Sequence, residues 1–444
     1  MTILGRTAAH TDDDVQQDAR RPLLLAAFVC LVSCTAFWIT QRLAGVTLLD
    51  VMVYRAEGWT VRNGGDLYAM QATVSNLPTT YPPFAALLFT PLTLLGVPEM
   101  RTFATGFNLL LVVALVYLAL RLIGKEVTGS RTKRLASALW ISALLVWCEP
   151  VWTTLRYGQI NLLLAVFVLW DLTRRKENRW AGIGIGLAAA IKLTPALFAV
   201  LLALTGLVVA VRRVRAGQPW WNVHLRRATT ATCTFLAVTV ASAVVLPYDS
   251  KRFWTEMVFS ASRPGQAEDT ANQSLRGVLA RLLGTTDPGL WWAVAAAVVA
   301  VFGLAVAVRS LLGDRTAWAV TACAVTALLI SPVSWSHHWV WIVPVLILLA
   351  SKARTRARKA ATAAVAVIFY SYSLWWVPHA GTSTTVRPEL DQNAGEFLLS
   401  AGYALAGLAF LVFLALRVRG GATGTAKVPA QATEPRSAQA VANE

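Results

Sequence analysis

The sequence predicts an all-α, polytopic membrane protein, and three observations carry that prediction. Of 444 residues, 56% are hydrophobic and only 14% charged, where a soluble domain holds about 25% charged residues. Mean hydropathy is +0.55, and the apolar residues fall in long runs rather than alternating. The 40 Lys and Arg against 23 Asp and Glu give a net charge of +17, spread unequally over alternate loops. A cytosolic enzyme, a disordered chain and a disulfide-knit secreted domain are excluded.

A bilayer core of about 30 Å takes about 20 apolar residues per helix, or fewer where protein surrounds a short helix. Twelve spans are predicted, at 23–40, 103–123, 135–151, 160–172, 180–192, 194–211, 228–246, 290–309, 316–331, 339–350, 360–377 and 396–417. The first is an uncleaved span: Asp12, Asp13, Asp14 and Asp18 stand where a signal peptide carries positive charge. A long loop, 41–81, follows it. The next apolar stretch, 82–97, opens on Tyr81-Pro82-Pro83 and contains Pro91. Proline breaks the helical ladder, so this stretch is expected to be re-entrant or to lie on the membrane surface. Residues 1–22 and 418–444 are expected as disordered cytoplasmic ends around a membrane domain at 23–417.

Charge orients these spans. With the N-terminus inside, 28 of the 40 Lys and Arg lie in inner segments and 12 in outer ones. Positive charge collects on the cytoplasmic side of membrane proteins. The expected arrangement is therefore a multi-pass plasma-membrane protein with both termini cytoplasmic. The surplus charge is a topology signal and does not call for nucleic acid.

Several chemistries have no support. Cys30, Cys34, Cys148, Cys233 and Cys323 lie in or beside apolar runs without C-x-x-C spacing. There is no G-x-x-x-x-G-K-[ST] and no H-E-x-x-H. His337 and His338 are adjacent and project differently, and no carboxylate or thiol follows at ligand spacing. No metal and no cofactor are expected.

The polar clusters gather on the predicted outer face. They are Asp50 to Arg55 in the long loop, Arg156-Tyr157-Gly158-Gln159-Ile160-Asn161, Lys192-Leu193-Thr194-Pro195, Asn272-Gln273-Ser274-Leu275-Arg276, and Ser331 to His338. Lys192 interrupts about thirty residues that are almost entirely apolar or Gly. A cation at membrane depth costs about 2.5–3.5 kcal/mol on insertion scales. It either snorkels to the interface or awaits an anion such as a lipid phosphate. Asp50 is either a helix N-cap or a base whose pKa partial desolvation raises. Glu57 and Asp66, in the same loop, are read as solvated. Arg156 and Arg276 are either phosphate ligands or ordinary interface arginines. The tryptophans around the histidine pair suit an interfacial belt.

In this order the clusters resemble the GT-C membrane glycosyltransferases, and more closely glycosyltransferase family 87. The residues that carry the likeness are Asp50 to Tyr54, Tyr81-Pro82-Pro83-Phe84, Gly158 to Asn161, Lys192 to Pro195, Asn272 to Ser274 and Ser331 to His338. The resemblance spans roughly residues 20–415. It implies a GT-C fold of about 12 transmembrane helices, with the catalytic Asp on a long first extracytoplasmic loop. It implies α-mannosyl transfer with inversion from polyprenyl-phosphate-mannose, a substrate rather than a cofactor. The implied acceptor is a glycolipid or lipoglycan of the phosphatidylinositol mannoside, lipomannan or lipoarabinomannan type. The expected linkage is α-1,2 and the expected active site extracytoplasmic. Asp50 is then the general base. Lys192, His338, Arg156 and Arg276 are candidates for the donor phosphate. Tyr54, Gln159, Asn161, Asn272, Gln273, Trp335 and His337 are candidates for sugar or acceptor contacts. Two other readings share these features: a transporter or flippase of a polyprenyl-linked sugar, and a GT-C enzyme using another polyprenyl-phosphate sugar such as arabinofuranose.

Overall fold

A computed structural model describes residues 4–124, 129–260, 263, 265–380 and 386–420. The tail expected as disordered lies outside the described residues from 421 onward. Among the described residues the fold is all-α apart from one two-stranded hairpin, β1 (Gln71–Ala72) and β2 (Leu77–Pro78).

Helix α1 (Leu4–Leu43) takes in most of the N-terminal segment expected as a separate end, and its apolar part is Arg21–Leu43. Four further helices are long and apolar enough to cross a membrane: α4 (Val97–Ile123), α9 (Ala196–Arg215), α10 (Val223–Val245) and α13 (Gly289–Leu312). At 1.5 Å per residue α4 is about 40 Å long. Two more predicted spans are broken pairs. Helix α5 (Arg131–Leu145) meets α6 (Glu149–Tyr157) at 81°, and α17 (Ala394–Ser400) meets α18 (Gly402–Gly420) at 70°.

The other predicted spans are shorter than a bilayer. They are α7 (Asn161–Leu172), α8 (Ile183–Ile191), α14 (Thr316–Ile330), α15 (Ile342–Lys352) and α16 (Arg356–Tyr370). Helix α8 is nine residues, about 14 Å. By length and composition the described residues thus supply five spans, or seven if each bent pair counts as one. Hydropathy marks apolar segments; it does not tell a span from a short helix walled in by protein. Helix α14 is such a case, with twelve of its fifteen residues buried.

The stretch 82–97 forms α3 (Pro83–Phe89) and a 3-10 turn over Thr90–Leu94, too short to cross, as its prolines predict. Between α1 and this stretch lies α2 (Leu49–Arg62). It docks closely: a Cβ on Gly58 would stand 2.7 Å from the Phe89 carbonyl oxygen. Helix α2 and the α6–α7 corner thereby enclose one end of the bundle, where the polar clusters meet.

Candidate active site

Asp50 enters α2 in its first turn. The N-cap is Leu48, held at φ +53° with no side-chain capping bond. Asp50 is therefore not the cap, and its carboxylate is available elsewhere. Left-handed backbone at a leucine is uncommon and marks a constrained turn.

The α6–α7 corner brings Asp50 its partner. Helix α6 ends on Gly158 at φ +70°, which closes the helix with a left-handed residue. A Cβ there would sit 2.3 Å from Val51 Cγ2. Glycine permits both the turn and the approach to α2. The next side chain, Gln159, donates from Nε2 to Asp50 Oδ2 at 2.7 Å. Its Oε1 accepts from the Tyr54 hydroxyl at 2.9 Å and the Tyr81 hydroxyl at 3.2 Å. The two tyrosine oxygens are 3.1 Å apart. With both hydroxyls bonded to Oε1, the amide can only donate towards Asp50.

Two residues further on, Asn161 opens α7 and turns to the cation. Its Oδ1 accepts from Lys192 Nζ at 3.2 Å, while its Nδ2 donates to the His337 carbonyl at 3.2 Å. Lys192 is the C-cap of α8, in extended backbone that stops the helix ahead of Pro195. Its Nζ also lies 3.0 Å from His338 Nε2 and 5.5 Å from the Tyr81 ring centroid. The ammonium is turned into the protein, so the snorkelling alternative does not describe it. Gln159 and Asn161 are two residues apart, a chain reach of about 7 Å at most. Asp50 and Lys192 thus have partners two residues apart on one turn, and each charge is near enough to act on the other.

Electrostatics separate the two carboxyls of α2. Burial raises the Asp50 pKa to about 6, while the Gln159 bond and the Lys192 charge pull it down. Asp50 is thus mostly ionised at neutral pH. Glu57, read from sequence as solvated, has 0% of its surface exposed. Burial pushes its pKa up to about 8, with Thr79 opposing and the Asp50 charge adding to the rise. Neither Glu57 oxygen has a partner in hydrogen-bond geometry, and at pH 7 the group is mostly neutral. One acid held charged beside a second held neutral is how environment assigns acid and base roles. Asp66, the other carboxylate read as solvated, is half-exposed and pairs with Arg252 of α11 (Pro247–Thr255) at 2.5 Å.

A cleft adjoins Lys192, enclosing about 480 Å³ of empty space with its mouth included. Asn161, Lys192, Thr194, Ser331, Ser334 and His338 supply its polar lining, and Leu164, Phe198, Leu328 and Val340 part of its apolar wall.

The remaining sequence candidates are placed differently. Tyr54 is buried and stacks on Phe89, centroids 4.3 Å apart at 12°, so its ring face is not open to a sugar. Asn272 and Gln273 are fully buried behind the cleft wall. Gln273 N donates to the Ser334 carbonyl at 2.8 Å, and Asn272 Oδ1 accepts from Ser334 N at 3.0 Å. Instead of facing the cleft, the pair fixes the segment that carries Trp335 and His338. His337 is buried edge-on to Tyr157, and its carbonyl accepts from Thr154 and Asn161. Trp335 is half-buried, and its ring lies so close over Gly265 that a Cβ there would meet it at 2.6 Å. Arg156 is exposed on the last turn of α6. Arg276 lies in α12 (Leu275–Leu283), 3.9 Å from Asp287 and over the Trp292 ring. Neither arginine lines the Lys192 cleft.

Glu149 is a residue the sequence reading passed over. It is fully buried at the start of α6. Its Oε1 accepts from Thr153 at 2.7 Å, Ser336 Oγ at 2.9 Å and Trp375 Nε1 at 3.2 Å; its Oε2 accepts from the Tyr403 hydroxyl at 2.8 Å. It ties the broken α5–α6 corner to the segment bearing His338. A carboxylate inside the apolar run 135–151 was the available signal, because ionisable groups at that depth are rare without a role.

The sequence that builds this arrangement has counterparts among known proteins. The sequence model of Glycosyltransferase family 87 matches residues 80–332. The chain belongs to glycosyltransferase family 87. It is a membrane-embedded glycosyltransferase with an all-α fold, as its composition and motifs predicted. A polyprenol-phosphate-mannose-dependent alpha-(1-2)-phosphatidylinositol mannoside mannosyltransferase of Mycolicibacterium smegmatis is 33% identical over 72% of this chain and 74% of its own length. The corresponding pentamannoside mannosyltransferase of Mycobacterium tuberculosis is 33% identical over 74% of this chain and 72% of its own.

Proposed function

We propose that this family 87 enzyme transfers mannose from polyprenyl-phosphate-mannose to a phosphatidylinositol mannoside-type acceptor, in α-1,2 linkage with inversion, on the outer face of the plasma membrane. The names of the two relatives support the donor, linkage and acceptor class. The 28-to-12 charge asymmetry of the loops supports cytoplasmic termini and an outer active site. The observation that carries the mechanism is that Gln159, bonded to Asp50, and Asn161, bonded to Lys192 beside His338, stand on one turn.

In a single displacement the acceptor hydroxyl oxygen attacks the anomeric carbon as the bond from that carbon to the phosphate oxygen breaks. Asp50 takes the hydroxyl proton, and its pKa of about 6 leaves it ready to do so at neutral pH. Polyprenyl phosphate departs as an anion, so no second carboxyl is needed as an acid, unlike the paired carboxyls of glycosidases. Lys192 and His338 meet the charge that grows on the leaving phosphate. Fixed groups of this kind contribute about 10²–10³ in rate. The apolar wall of Leu164, Phe198 and Leu328 receives the first isoprene units, at about 25 cal/mol per Å² buried.

Purified protein in detergent, given polyprenyl-phosphate-mannose and a phosphatidylinositol mannoside, is the test. Appearance of the mannosylated lipid is expected, because transfer needs no compartments. No product in detergent, with sugar-lipid translocation in proteoliposomes, identifies a flippase. Product only with a polyprenyl-phosphate arabinofuranose would replace the donor.

A further inference from the structure

A second cavity lies away from the Lys192 cleft, between α14, α15, α16 and α18. It encloses about 1,180 Å³ of empty space with its open side included. Apart from Thr362 and three cations, Lys352, Arg358 and Arg417, its lining is apolar. The cations share one end. Lys352 closes α15, Arg358 lies in the first turn of α16, and Arg417 is near the end of α18. The opposite end reaches Leu328 and Trp341, the residues common to this groove and the Lys192 cleft. The eleven residues of α15 separate the two ends by about 16 Å.

None of the three cations forms an ion pair among the described residues. Arg417 lies over the Trp318 ring at 4.6 Å, with the like charges of Arg358 and Arg315 near enough to repel it. A trench of lipid-tail character ending in three positive charges, none of them ion-paired among the described residues, is complementary to one kind of molecule.

We propose that this groove binds a diacyl phospholipid with an anionic phosphodiester headgroup, drawn from the leaflet opposite the Asp50 site. The headgroup sits among Lys352, Arg358 and Arg417, and the acyl chains run towards Trp341. The occupant is not the sugar donor, whose single phosphate is already matched by Lys192 and His338 beyond the far end. The match of shape and charge stands whether or not the mannosyl-transfer reading holds; only the exclusion of the donor rests on that reading.

Native mass spectrometry of the full chain, with phosphatidylglycerol and phosphatidylcholine of identical acyl chains, tests it. Retained phosphatidylglycerol is expected to exceed phosphatidylcholine by about tenfold, since each cation near an anionic headgroup contributes measurably. The triple variant Lys352→Gln/Arg358→Gln/Arg417→Gln abolishes that preference. A matched triple, Arg212→Gln/Arg213→Gln/Arg215→Gln at the end of α9, retains it. Ala364→Trp, which fills the groove and leaves its charges, lowers retention of both lipids. Equal retention of the two lipids by the wild type overturns the proposal, as does equal loss of preference in both triples. Stoichiometric displacement of phosphatidylglycerol by polyprenyl phosphate would assign the groove to the donor chain and overturn it too.

Discussion

Gln159 sets the basicity of Asp50, and its replacement by leucine should move the pH dependence by a calculable amount. In the wild type, Gln159 Nε2 bonds the carboxylate at 2.7 Å and helps hold its pKa near 6 against burial. A hydrogen bond to a charged group contributes about 1.5–3 kcal/mol, and about 1.4 kcal/mol is one pKa unit. Gln159→Leu should therefore raise the Asp50 pKa by about one to two units. The base works only when ionised, so activity rises with pH through this value. In the wild type the acid limb of kcat/KM falls near pH 6; in Gln159→Leu it falls near pH 7 to 8, with the plateau above it largely recovered. The Tyr54 and Tyr81 oxygens stand 3.1 Å apart, so without Gln159 one hydroxyl can donate to the other and the local fold survives. The assay is mannosyl transfer in detergent between pH 5 and 9. An acid limb left at pH 6, or activity lost equally at every pH, would refute the link between Gln159 and the base.

Two further outcomes follow from the same geometry. Lys192→Ala removes the buried cation of the cleft and should raise the apparent donor KM far more than the acceptor KM; equal effects on both would count against a donor-phosphate role. Glu149→Ala strips the acceptor from three buried donors, Thr153, Ser336 and Tyr403, and from the half-buried Trp375. At about 1–3 kcal/mol for each unsatisfied group, the loss should reach roughly 3 kcal/mol or more, seen as a lowered melting temperature in detergent. Glu149→Gln should fall between, and an Ala variant as stable as the wild type would remove Glu149 from its anchoring role.

Much of the site could be read before the structure because its chemistry conflicts with its surroundings. Lys192 in an apolar run and Asp50 between apolar neighbours each require compensation, and they meet it in Asn161 and Gln159, two residues apart. The prolines of 82–97 likewise forbade a full span. What could not be read depends on tertiary approach. Glu57 looks like any loop carboxylate until Gly58 lets α2 press against the Phe89 carbonyl and closes off water. Tyr54 reads as a sugar platform until Phe89 covers its face. Asn272 and Gln273 carry the polar groups a sugar needs, yet their amides go to backbone. The count of twelve spans goes beyond the five to seven helices long enough to cross among the described residues, for a related reason. Hydropathy cannot distinguish α8, nine residues walled by protein, from a helix facing lipid. Glu149 was legible and overlooked.

The account turns on whether a single carboxylate removes the acceptor proton. Turnover of Asp50→Asn, compared with wild type at equal amounts of monodisperse protein, measures this most directly. Asparagine keeps an oxygen for Gln159 but cannot take a proton, so kcat should drop about 10²–10⁴-fold while donor binding persists. Undiminished mannosyl transfer by Asp50→Asn would contradict the mechanism at its root.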